Sequence, residues 1–377
     1  MLRLSDSVAD LLPDKLPKKP DPMLAELTVE DLLTMRSGLD PASDRPHEAG
    51  RDWARYALSQ PFAWKPGTHF HYNSMNTYLC SMIVQRKTMI SVNEYLKPRL
   101  FYPLGIHNPV WDNCPMGVNC GGWGLYLTAM DIAKFGQLLL QDGLWEGKRI
   151  LPEGWVERAT SKHADNSHHS QAPEWREGYG YQFWRCRNGH YRGDGMLGQM
   201  CWVMPEQKAV LAITAGSNAM DVEANCIVEH LVPAIDRPSD GSAWPRLLER
   251  LDTLAHLPPQ GERPPESILR EYAGPKGAGF SLSPTPEGNI LLRTKAFAIP
   301  LGVGRYEDAM ITVHHQWLQG WYQTRSACAW QGGALSMIAR IPGLPHTQRM
   351  TLRPEGDHCV LEGENMLLPT GVYQPKQ

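Results

Sequence analysis

The stretch "QMCWVMPEQKAVLAITAG", residues 199–216, carries the clearest strand pattern in the chain. Two apolar runs flank a polar turn at Pro205 to Lys208, which is typical of antiparallel strands joined by a short connection. Helical patterns dominate residues 1–160, and a helix-like run follows the strand pair at residues 222–235. This order predicts an α+β domain rather than the repeating βαβ units of a parallel sheet.

Three helix starts share the spacing of a capping box, in which a side-chain oxygen bonds to the backbone three residues further on. The pairs are Thr28 with Asp31, Ser91 with Glu94, and Thr128 with Asp131. Glycine is frequent just beyond a helix end. Gly38 is therefore predicted to end the first of these helices, and Gly143 the third.

Composition limits the classes of function. The 377 residues predict two domains, or one large domain with an appendage. Hydrophobic residues make up 42% and charged residues 20%, which is ordinary for a globular protein, and the net charge of -3 argues against nucleic acid as the main partner. No apolar run approaches the roughly 18 residues of a membrane span. The start of the chain has no signal-peptide pattern, and the compartment, cytoplasmic or periplasmic, stays open.

The chain divides into two predicted domains. Residues 1–235 form the α+β region, and the proline-rich, charged segment 236–267 is predicted to be a linker with one short helix. Short strand-like runs separated by turn residues recur in 268–377, which predicts a small C-terminal all-β domain, either a sandwich or a partial barrel. The runs are "NILLRTK", "AMITVHHQW", "ALSMIARI" and "CVLEGENMLL".

Four stretches in order carry a family resemblance. They are "LTVEDLLTMRSGL", "KPGTHFHYNSMNTYLCSMIVQ", "GGWGLYLTAMDIAKFGQLLLQDGLWEGKRIL" and "GYGYQFWRCRNGHYRGDGMLGQMCWVMPEQKAVLAITAG". Together they resemble the serine β-lactamase and penicillin-binding-protein superfamily, on the branch of class C enzymes, related esterases and 6-aminohexanoate-dimer hydrolases. The resemblance covers most of residues 1–235. It implies a β-lactamase/transpeptidase-like antiparallel sheet flanked by helices.

Tyr72 and Ser74 occupy the family's Tyr-x-Asn or Tyr-x-Ser motif. The resemblance implies that Tyr72 is the general acid/base, and that Ser74 can hydrogen-bond a lysine or the substrate. A phenol with a pKa near about 10 is a poor base at neutral pH, so a lysine cation nearby is needed to favour phenolate. The alternative is that Tyr72 is a half-buried aromatic residue at a helix start.

The third motif, Lys-Thr-Gly in penicillin-binding proteins, corresponds here to Gly193, Asp194 and Gly195. Gly193 supplies no cation for a substrate carboxylate, and Asp194 is expected to make the site more acidic. The backbone amide of Met196 aligns with an oxyanion-hole donor. Gly195 and Gly198 are expected to let substrate approach the strand. A glycine-rich strand entrance or bulge is the alternative.

The nucleophile is missing from the sequence. The family uses Ser-x-x-Lys, whose serine attacks the acyl carbon while the lysine helps to remove its proton. No serine or threonine here has a lysine three residues further on. The stretch "LRLSDSVADLLPDKLP" resembles a segment that follows this motif in relatives. Either the N-terminal boundary is truncated, or the protein naturally lacks the catalytic helix. Truncation is favoured, because loss of that helix would expose a sheet edge and an apolar face.

The resemblance implies hydrolysis of an ester or amide through an acyl-serine intermediate, without metal or organic cofactor. The expected partner is a small-molecule ester, amide or peptide substrate. An esterase or amidase is favoured over a true β-lactamase because the third motif lacks its cation. This chain is expected to be inactive or impaired. The alternative is a non-catalytic binding protein for a peptide or cell-wall fragment. Oligomeric state is not indicated.

Other residues carry weaker expectations. Histidine pairs lack any recognised metal signature, so no metal site is predicted. Several tryptophans can line a pocket, but burial is the commoner role. The pairs are His69 and His71, His168 and His169, and His314 and His315; the tryptophans are Trp123, Trp184 and Trp202. The loop Gly121 to Gly124 is either a cleft rim or a plain turn. Cys114 and Cys120 can form a disulfide, although free buried thiols are favoured.

Overall fold

The structure is a computed structural model with two compact units, Met1–Arg237 and Pro238–Gln377. It describes residues 2–45, 48, 50–235, 237–314, 319–345, 347–364 and 368–376. The segment 238–267 groups with the second unit, and it contains one helix, as expected. The predicted division into 1–235, 236–267 and 268–377 stays a prediction.

Helices form most of the first unit. Its α-helices are α1 Val8–Leu11, α2 Val29–Leu33, α3 Trp53–Leu58, α4 Ser74–Thr88, α5 Val92–Leu96, α6 Ala129–Leu140, α7 Trp155–Thr160, α8 Met220–Cys226 and α9 Val232–Ile235. The capping boxes predicted at Thr28 and Thr128 are present, and Ser91 caps α5 by accepting from the amide of Glu94. Gly143 follows α6 in a left-handed conformation, as predicted.

Helix α2 ends earlier than predicted. It stops at Leu33, and Met35 already has a left-handed backbone with φ of 57°. The hydroxyl of Thr34 donates to the carbonyl of Glu30, which helps to satisfy the last turn. Gly38 has another role, because its carbonyl accepts from the amides of the 63–64 turn.

The first unit contains one larger sheet and two short hairpins. The strands are β1 Val110–Trp111, β2 Leu125–Tyr126, β3 Leu144–Trp145, β4 Lys148–Arg149, β5 Trp184–Arg185, β6 Tyr191–Gly195, β7 Gln199–Met204 and β8 Ala209–Ile213. The last four form an antiparallel sheet in the order β5-β6-β7-β8. The predicted strand pair is therefore confirmed as β7 and β8.

Helices cover both faces of this sheet. Helix α6 lies against β7 and β8 at Gly136, where a side-chain carbon would meet Val210 at 2.5 Å and Cys201 at 2.9 Å. On the other face Trp202 is buried with residues of α8. This sandwich fixes β6 and β7, and with them the third motif. The α+β class is confirmed.

The second unit is a β domain. Its elements are helix α10 Trp244–Asp252 and strands β9 Glu271–Ala273, β10 Gly279–Pro284, β11 Ile290–Arg293, β12 Ala298–Val303, β13 Glu307–His314, β14 Gln319–Gln331, β15 Ala334–Arg340, β16 Thr347–Glu355, β17 His358–Glu362 and β18 Gly371–Pro375. The sheet order is β12-β11-β10-β9-β18-β17-β16-β15-β14-β13. Strand β12, at one end of this order, also pairs in parallel with β14, the last strand but one at the other end, so the sheet closes around its own core.

Each of the four predicted strand runs contains a strand of this sheet. The runs beginning "NILLRTK" and "ALSMIARI" correspond to β11 and β15. Residues 315–317 of the run "AMITVHHQW" and residues 365–367 of the run "CVLEGENMLL" lie outside the described residues. His315, one member of the pair His314 and His315, is among them.

Two remaining features of the fold are the state of a predicted cysteine pair and the hydropathy of the helices. Cys114 and Cys120 are free and buried. Among the described residues, no helix combines the length and hydropathy required to cross a bilayer.

Candidate active site

The corner before α4 is built by Asn73, which caps the helix. Its side-chain oxygen accepts from the amide of Met75 at 2.9 Å, and its amide nitrogen donates to the hydroxyl of Ser43 at 2.6 Å. Tyr72 therefore precedes the helix in a fixed chain segment. Sequence reasoning assigned no role to Asn73, although an asparagine before an apolar helix is a common cap.

Ser74 is the first residue of α4 and packs against the glycine loop predicted at the cleft. A side-chain carbon on Gly122 would lie 2.7 Å from the carbonyl oxygen of Ser74, and one on Gly121 would lie 2.7 Å from that of Thr77. Both glycines thus allow the loop to contact the start of the helix. The loop is a close packing element against the Tyr-x-Ser motif.

Tyr72 is half-buried in an aromatic cluster. Its ring stacks on Trp184 with centroids 5.4 Å apart and planes inclined by 20°, and it meets Tyr179 edge-on at 6.4 Å. Trp184 belongs to β5 and is 4% exposed. The predicted acid/base residue therefore lies against the strand that precedes the third motif.

The third motif lies on β6, and its side chains alternate between the faces of the sheet. Arg192 and Asp194 share one face, since residues two apart in a strand point the same way. Asp194 Oδ2 lies 3.0 Å from Nη2 of Arg192, and both side chains are buried. A buried guanidinium that the sequence analysis did not consider is therefore paired with Asp194. The expectation that Asp194 makes the site more acidic stays a prediction.

Asp194 and Tyr72 act on each other electrostatically. Burial raises the pKa of Tyr72 to about 12, and the carboxylates of Asp194 and Asp44 add to the shift. Burial also raises the pKa of Asp194, against the opposing effect of Arg192. Among the described residues, the charged groups acting on Tyr72 are both carboxylates. The phenol is therefore neutral at pH 7 in this structure.

Asp44 adds a second carboxylate to this corner. The backbone amides of Ser74 and Met75 act on it as hydrogen-bond donors, so it sits at the N-terminus of α4. Burial nevertheless raises its pKa, while the nearby His71 lowers it. The sequence analysis did not single out Asp44, because an isolated aspartate upstream of the motif carries no local signal.

The glycines of the third motif differ in their surroundings. A side-chain carbon on Gly193 would meet nothing within 4 Å, and one on Gly195 would lie 3.3 Å from Cβ of Gln199. Since β5 pairs with β6 only at residues 191 and 192, the described strands leave the edge at 193–195 without a partner. Gly193 thus faces open space beside an unpaired strand edge.

Gly198 is closely packed inside the hairpin, and its predicted part in substrate approach stays a prediction. Its φ is +90°, and a side-chain carbon there would lie 2.2 Å from the carboxylate of Glu223 and 3.0 Å from Ala215. The hairpin between β6 and β7 requires a glycine at this point for packing and conformation. Met196, in the same hairpin, has an exposed side chain. Its role as an oxyanion donor stays a prediction.

Four histidines, His69, His71, His168 and His169, form a second cluster, and the first two lie just before Tyr72 in sequence. His69 stacks on Trp64 at 4.3 Å and lies 4.6 Å from His168, with His71 also against Trp64 at 5.5 Å. Burial lowers the pKa of His69, His71 and His169, and neighbouring imidazoles contribute. Within the described part of the chain, no group of three or more candidate ligands could hold a metal ion.

None of the three predicted tryptophans lines the apolar cavity described next. Trp202 and Trp184 are buried, and Trp123 stacks on Trp53 at 5.6 Å. An apolar cavity of about 310 Å³ lies elsewhere in the first unit. It is lined by Leu2, Arg3, Leu4, Val29, Leu33, Cys80, Ile83, Val84 and Trp155.

Comparison with known proteins agrees with this arrangement. The chain is 29% identical over 192 residues to the 6-aminohexanoate-dimer hydrolase of Paenarthrobacter ureafaciens, covering 46% of this chain and 48% of the relative. It thus spans about half the length of that curated relative. A solved structure from Bacillus anthracis, provisionally assigned as a 6-aminohexanoate-dimer hydrolase, superposes with a TM-score of 0.52 at 21% identity, over 63% of this chain and 68% of the other.

At that identity the superposition concerns the fold, which is the β-lactamase/transpeptidase-like arrangement expected from the motifs. The family model described as Beta-lactamase matches residues 1–225, which include Tyr72 and the whole third motif. The chain therefore belongs to the Beta-lactamase family.

Proposed function

We propose that this chain carries the acid/base and substrate-binding part of a serine hydrolase that cleaves an ester or amide through an acyl-serine intermediate. One relationship supports the proposal: Tyr72 stacks on Trp184, and the charge of Asp194 on the third-motif strand acts on the phenol. Family membership supplies the reaction class.

Each predicted residue takes one role in that reaction. A serine hydroxyl attacks the acyl carbon while its proton passes to the oxygen of Tyr72. Tyr72 then passes that proton to the leaving oxygen or nitrogen as the bond between this atom and the acyl carbon breaks. The amide of Met196 stabilises the oxygen that becomes negative. Ser74 provides a hydroxyl beside the phenol. Water then releases the acyl group and regenerates the serine.

The substrate is proposed to lie along the unpaired edge of β6. Gly193 has open space beside it, so an extended acyl chain can approach the backbone closely. The strand presents no free cation, because Arg192 is buried and paired with Asp194. A small linear amide or ester without a required carboxylate fits this edge. The name of the curated relative, a 6-aminohexanoate-dimer hydrolase, supports a linear amide.

Proton transfer by Tyr72 depends on a cation. A phenol with a pKa near 12 releases its proton too rarely at pH 7 to act as a base. The Ser-x-x-Lys pair of the family would supply both the nucleophile and this cation, and the 377 residues contain no such pair. The chain by itself is therefore proposed to be inactive or strongly impaired.

A second candidate is ligand binding without turnover. The specific observation in its favour is that burial, with contributions from Asp194 and Asp44, raises the pKa of Tyr72 to about 12. A phenol that keeps its proton cannot accept one from an attacking group, so a peptide or cell-wall fragment would be held without acid/base assistance. Under this proposal the same cleft recognises an amide but does not cleave it.

Two measurements separate the candidates. The full chain is incubated with a fluorescent phosphonate probe, and we expect no stoichiometric label; labelling of any serine would show that the nucleophile has been misplaced. The N-terminal region of the curated relative, which would supply a Ser-x-x-Lys helix, is then fused ahead of residue 1. For a hydrolase, the fusion gains ester or amide turnover, and Tyr72→Phe lowers it by roughly two to four decades. For a binding protein, no turnover appears and Tyr72→Phe leaves affinity for the 6-aminohexanoate dimer nearly unchanged.

A further inference from the structure

A buried cation lies in a cage of tryptophans beside the third motif. The guanidinium of Arg192 is fully buried, at 4.3 Å from the ring centroid of Trp175 and 5.0 Å from that of Trp202. Trp184 is 6.0 Å away on the same face. Arginine is suited to such a cage because its planar group stacks on aromatic rings while its N–H groups point outward in the plane.

The cage leaves the donors of Arg192 directed at specific partners. Nε donates to Oδ2 of Asp194 at 3.1 Å, and Nη1 donates to the carbonyl of Glu174 at 2.8 Å. Nη2 lies 3.0 Å from the same Oδ2 as an ion-pair contact, without the geometry of a hydrogen bond. Nη1 also contacts the sulfur of Cys186 at 2.9 Å. A buried charge with this many partners is costly to disturb, since removing one member leaves the other charge unpaired.

Trp184 connects this cage to Tyr72. The guanidinium of Arg192, which is paired with Asp194, lies 6.0 Å from the ring centroid of Trp184. Trp184 in turn presents its ring face to Tyr72 at 5.4 Å. A continuous series of contacts therefore runs from Asp194 through Arg192 and Trp184 to the phenol ring.

We propose that Arg192 and Asp194 are positioning residues that hold the Tyr72 ring in place through Trp184. Strand β6 then does two things at once: its edge receives substrate, while its buried face orients the phenol toward that edge. The catalytic meaning of this inference rests on the proposed function, but the arrangement itself is testable without turnover.

The test measures the ring-proton chemical shifts of Tyr72 by NMR in the full chain, assigned by comparison with Tyr72→Phe. In the parent protein, stacking on Trp184 is expected to shift these signals upfield. Asp194→Ala leaves the guanidinium of Arg192 without its carboxylate partner, so the packing of the cage against Trp184 should loosen and most of this ring-current shift should be lost. Asp194→Asn keeps an oxygen acceptor at the same place, and the shift should be largely retained.

Two controls exclude a general structural effect. Asp165→Ala removes an exposed aspartate that pairs with Lys162, and Leu138→Ala opens the core of α6 away from the cage. Neither should move the Tyr72 signals, even though Leu138→Ala lowers stability. Should Asp194→Ala not fold, Arg192→Lys replaces it. Lysine keeps the charge without the planar fork, so a partial loss of the shift is expected.

The proposal is overturned if a folded Asp194→Ala or Arg192→Lys variant keeps the full Tyr72 shift, or if Leu138→Ala moves it equally. That failure is distinguishable from failure of the proposed function. If only the proposed function fails, the fusion protein will show neither probe labelling nor turnover, while the Tyr72 signals will still respond to Asp194→Ala.

Discussion

The ring of Tyr72 lies nearly parallel to that of Trp184, with centroids 5.4 Å apart. One residue precedes α4 and the other forms β5, so the contact links the helical part of the first unit to its sheet. Aromatic pairs contribute roughly 0.5–1.5 kcal/mol beyond the area they bury. Here the same contact also brings the only titratable group of the Tyr-x-Ser motif to the face of β6 that carries Asp194.

Tyr72→Phe is expected to leave the fold intact. Phenylalanine keeps the ring that stacks on Trp184 and removes only the hydroxyl, so the free energy of unfolding should change by less than about 0.5 kcal/mol. Urea unfolding followed by tryptophan fluorescence measures this. Tyr72→Ala is the matched variant, and loss of the ring should cost about 3 kcal/mol. Equal losses in both variants would show that the hydroxyl, rather than the ring, stabilises the corner.

The sequence predicts this corner well where the signals are local. Capping pairs locate α2 and α6, the polar turn at 205–208 separates β7 from β8, and the motif places Tyr72 at a helix start. Such features depend on neighbouring residues, and their physical requirements are visible in a short stretch. Family membership follows because four local motifs occur in a fixed order.

Contacts between distant segments are not predicted. Nothing in the stretch around Arg192 shows that Trp175, Trp184 and Trp202 surround it, so a charged residue in a strand is expected on the surface rather than in the core. Gly38 is similar. It looks like a helix stop, but its lack of a side chain serves close contact with the turn at Trp64. Only the folded chain brings these segments together.

Gly38→Ala should strongly destabilise the first unit. The residue has φ of +75°, and a side-chain carbon would lie 2.1 Å from the carbonyl oxygen of Trp64. Backbone strain and steric overlap would therefore both lower the stability of the variant. We expect a loss of about 2–4 kcal/mol by chemical denaturation. Gly117→Ala is the matched control, because its φ is +77° and nothing lies within 4 Å. The Gly117→Ala variant should lose only the stability that a positive φ costs an alanine, about 1 kcal/mol. Similar losses would argue against the close approach.

Gly193→Ala should fold normally but impair substrate binding. A methyl group there meets nothing within 4 Å, so stability should change by less than about 0.5 kcal/mol. The same methyl would stand on the face of β6 next to a ligand that lies along the unpaired edge of the strand. Affinity for the 6-aminohexanoate dimer, measured by titration calorimetry, should fall by about tenfold if the ligand lies along this edge. Unchanged affinity would place the ligand elsewhere.

Gly122→Ala, unlike Gly193→Ala, should lower the stability of the first unit. Its added carbon would lie 2.7 Å from the carbonyl oxygen of Ser74, and backbone on both sides of the contact has little room to shift. We expect a loss of about 1–3 kcal/mol, together with displacement of the start of α4. The amide signals of residues 74–77 report that displacement. A stable variant with unmoved signals would show that the loop adapts at little cost.

Stability of the first unit should fall as pH decreases below about 6.5. Burial lowers the pKa of His69, His71 and His169, so the unfolded chain takes up protons before the folded one does. Well above pH 6.5 these imidazoles are neutral in both the folded and the unfolded chain, so their titration does not lower stability there. Asp40 and Asp44 oppose the shift at His71. The raised pKa values of Asp44 and Asp194 act in the opposite direction, because the folded chain binds these protons before the unfolded chain does, so their contribution to stability increases as pH falls toward the reference value of 3.8.

The measurement is the midpoint of thermal unfolding between pH 7.5 and 5.5, a window in which model carboxylates stay ionised. The double variant His69→Gln with His169→Gln removes two of the three imidazoles, so its midpoint should fall less steeply with acid than that of the parent. His107→Gln, an exposed histidine outside the cluster, is the matched control and should keep the parent slope. An unchanged slope in the double variant would mean that acid destabilises the unit through other groups, and the cluster would then carry no pH dependence.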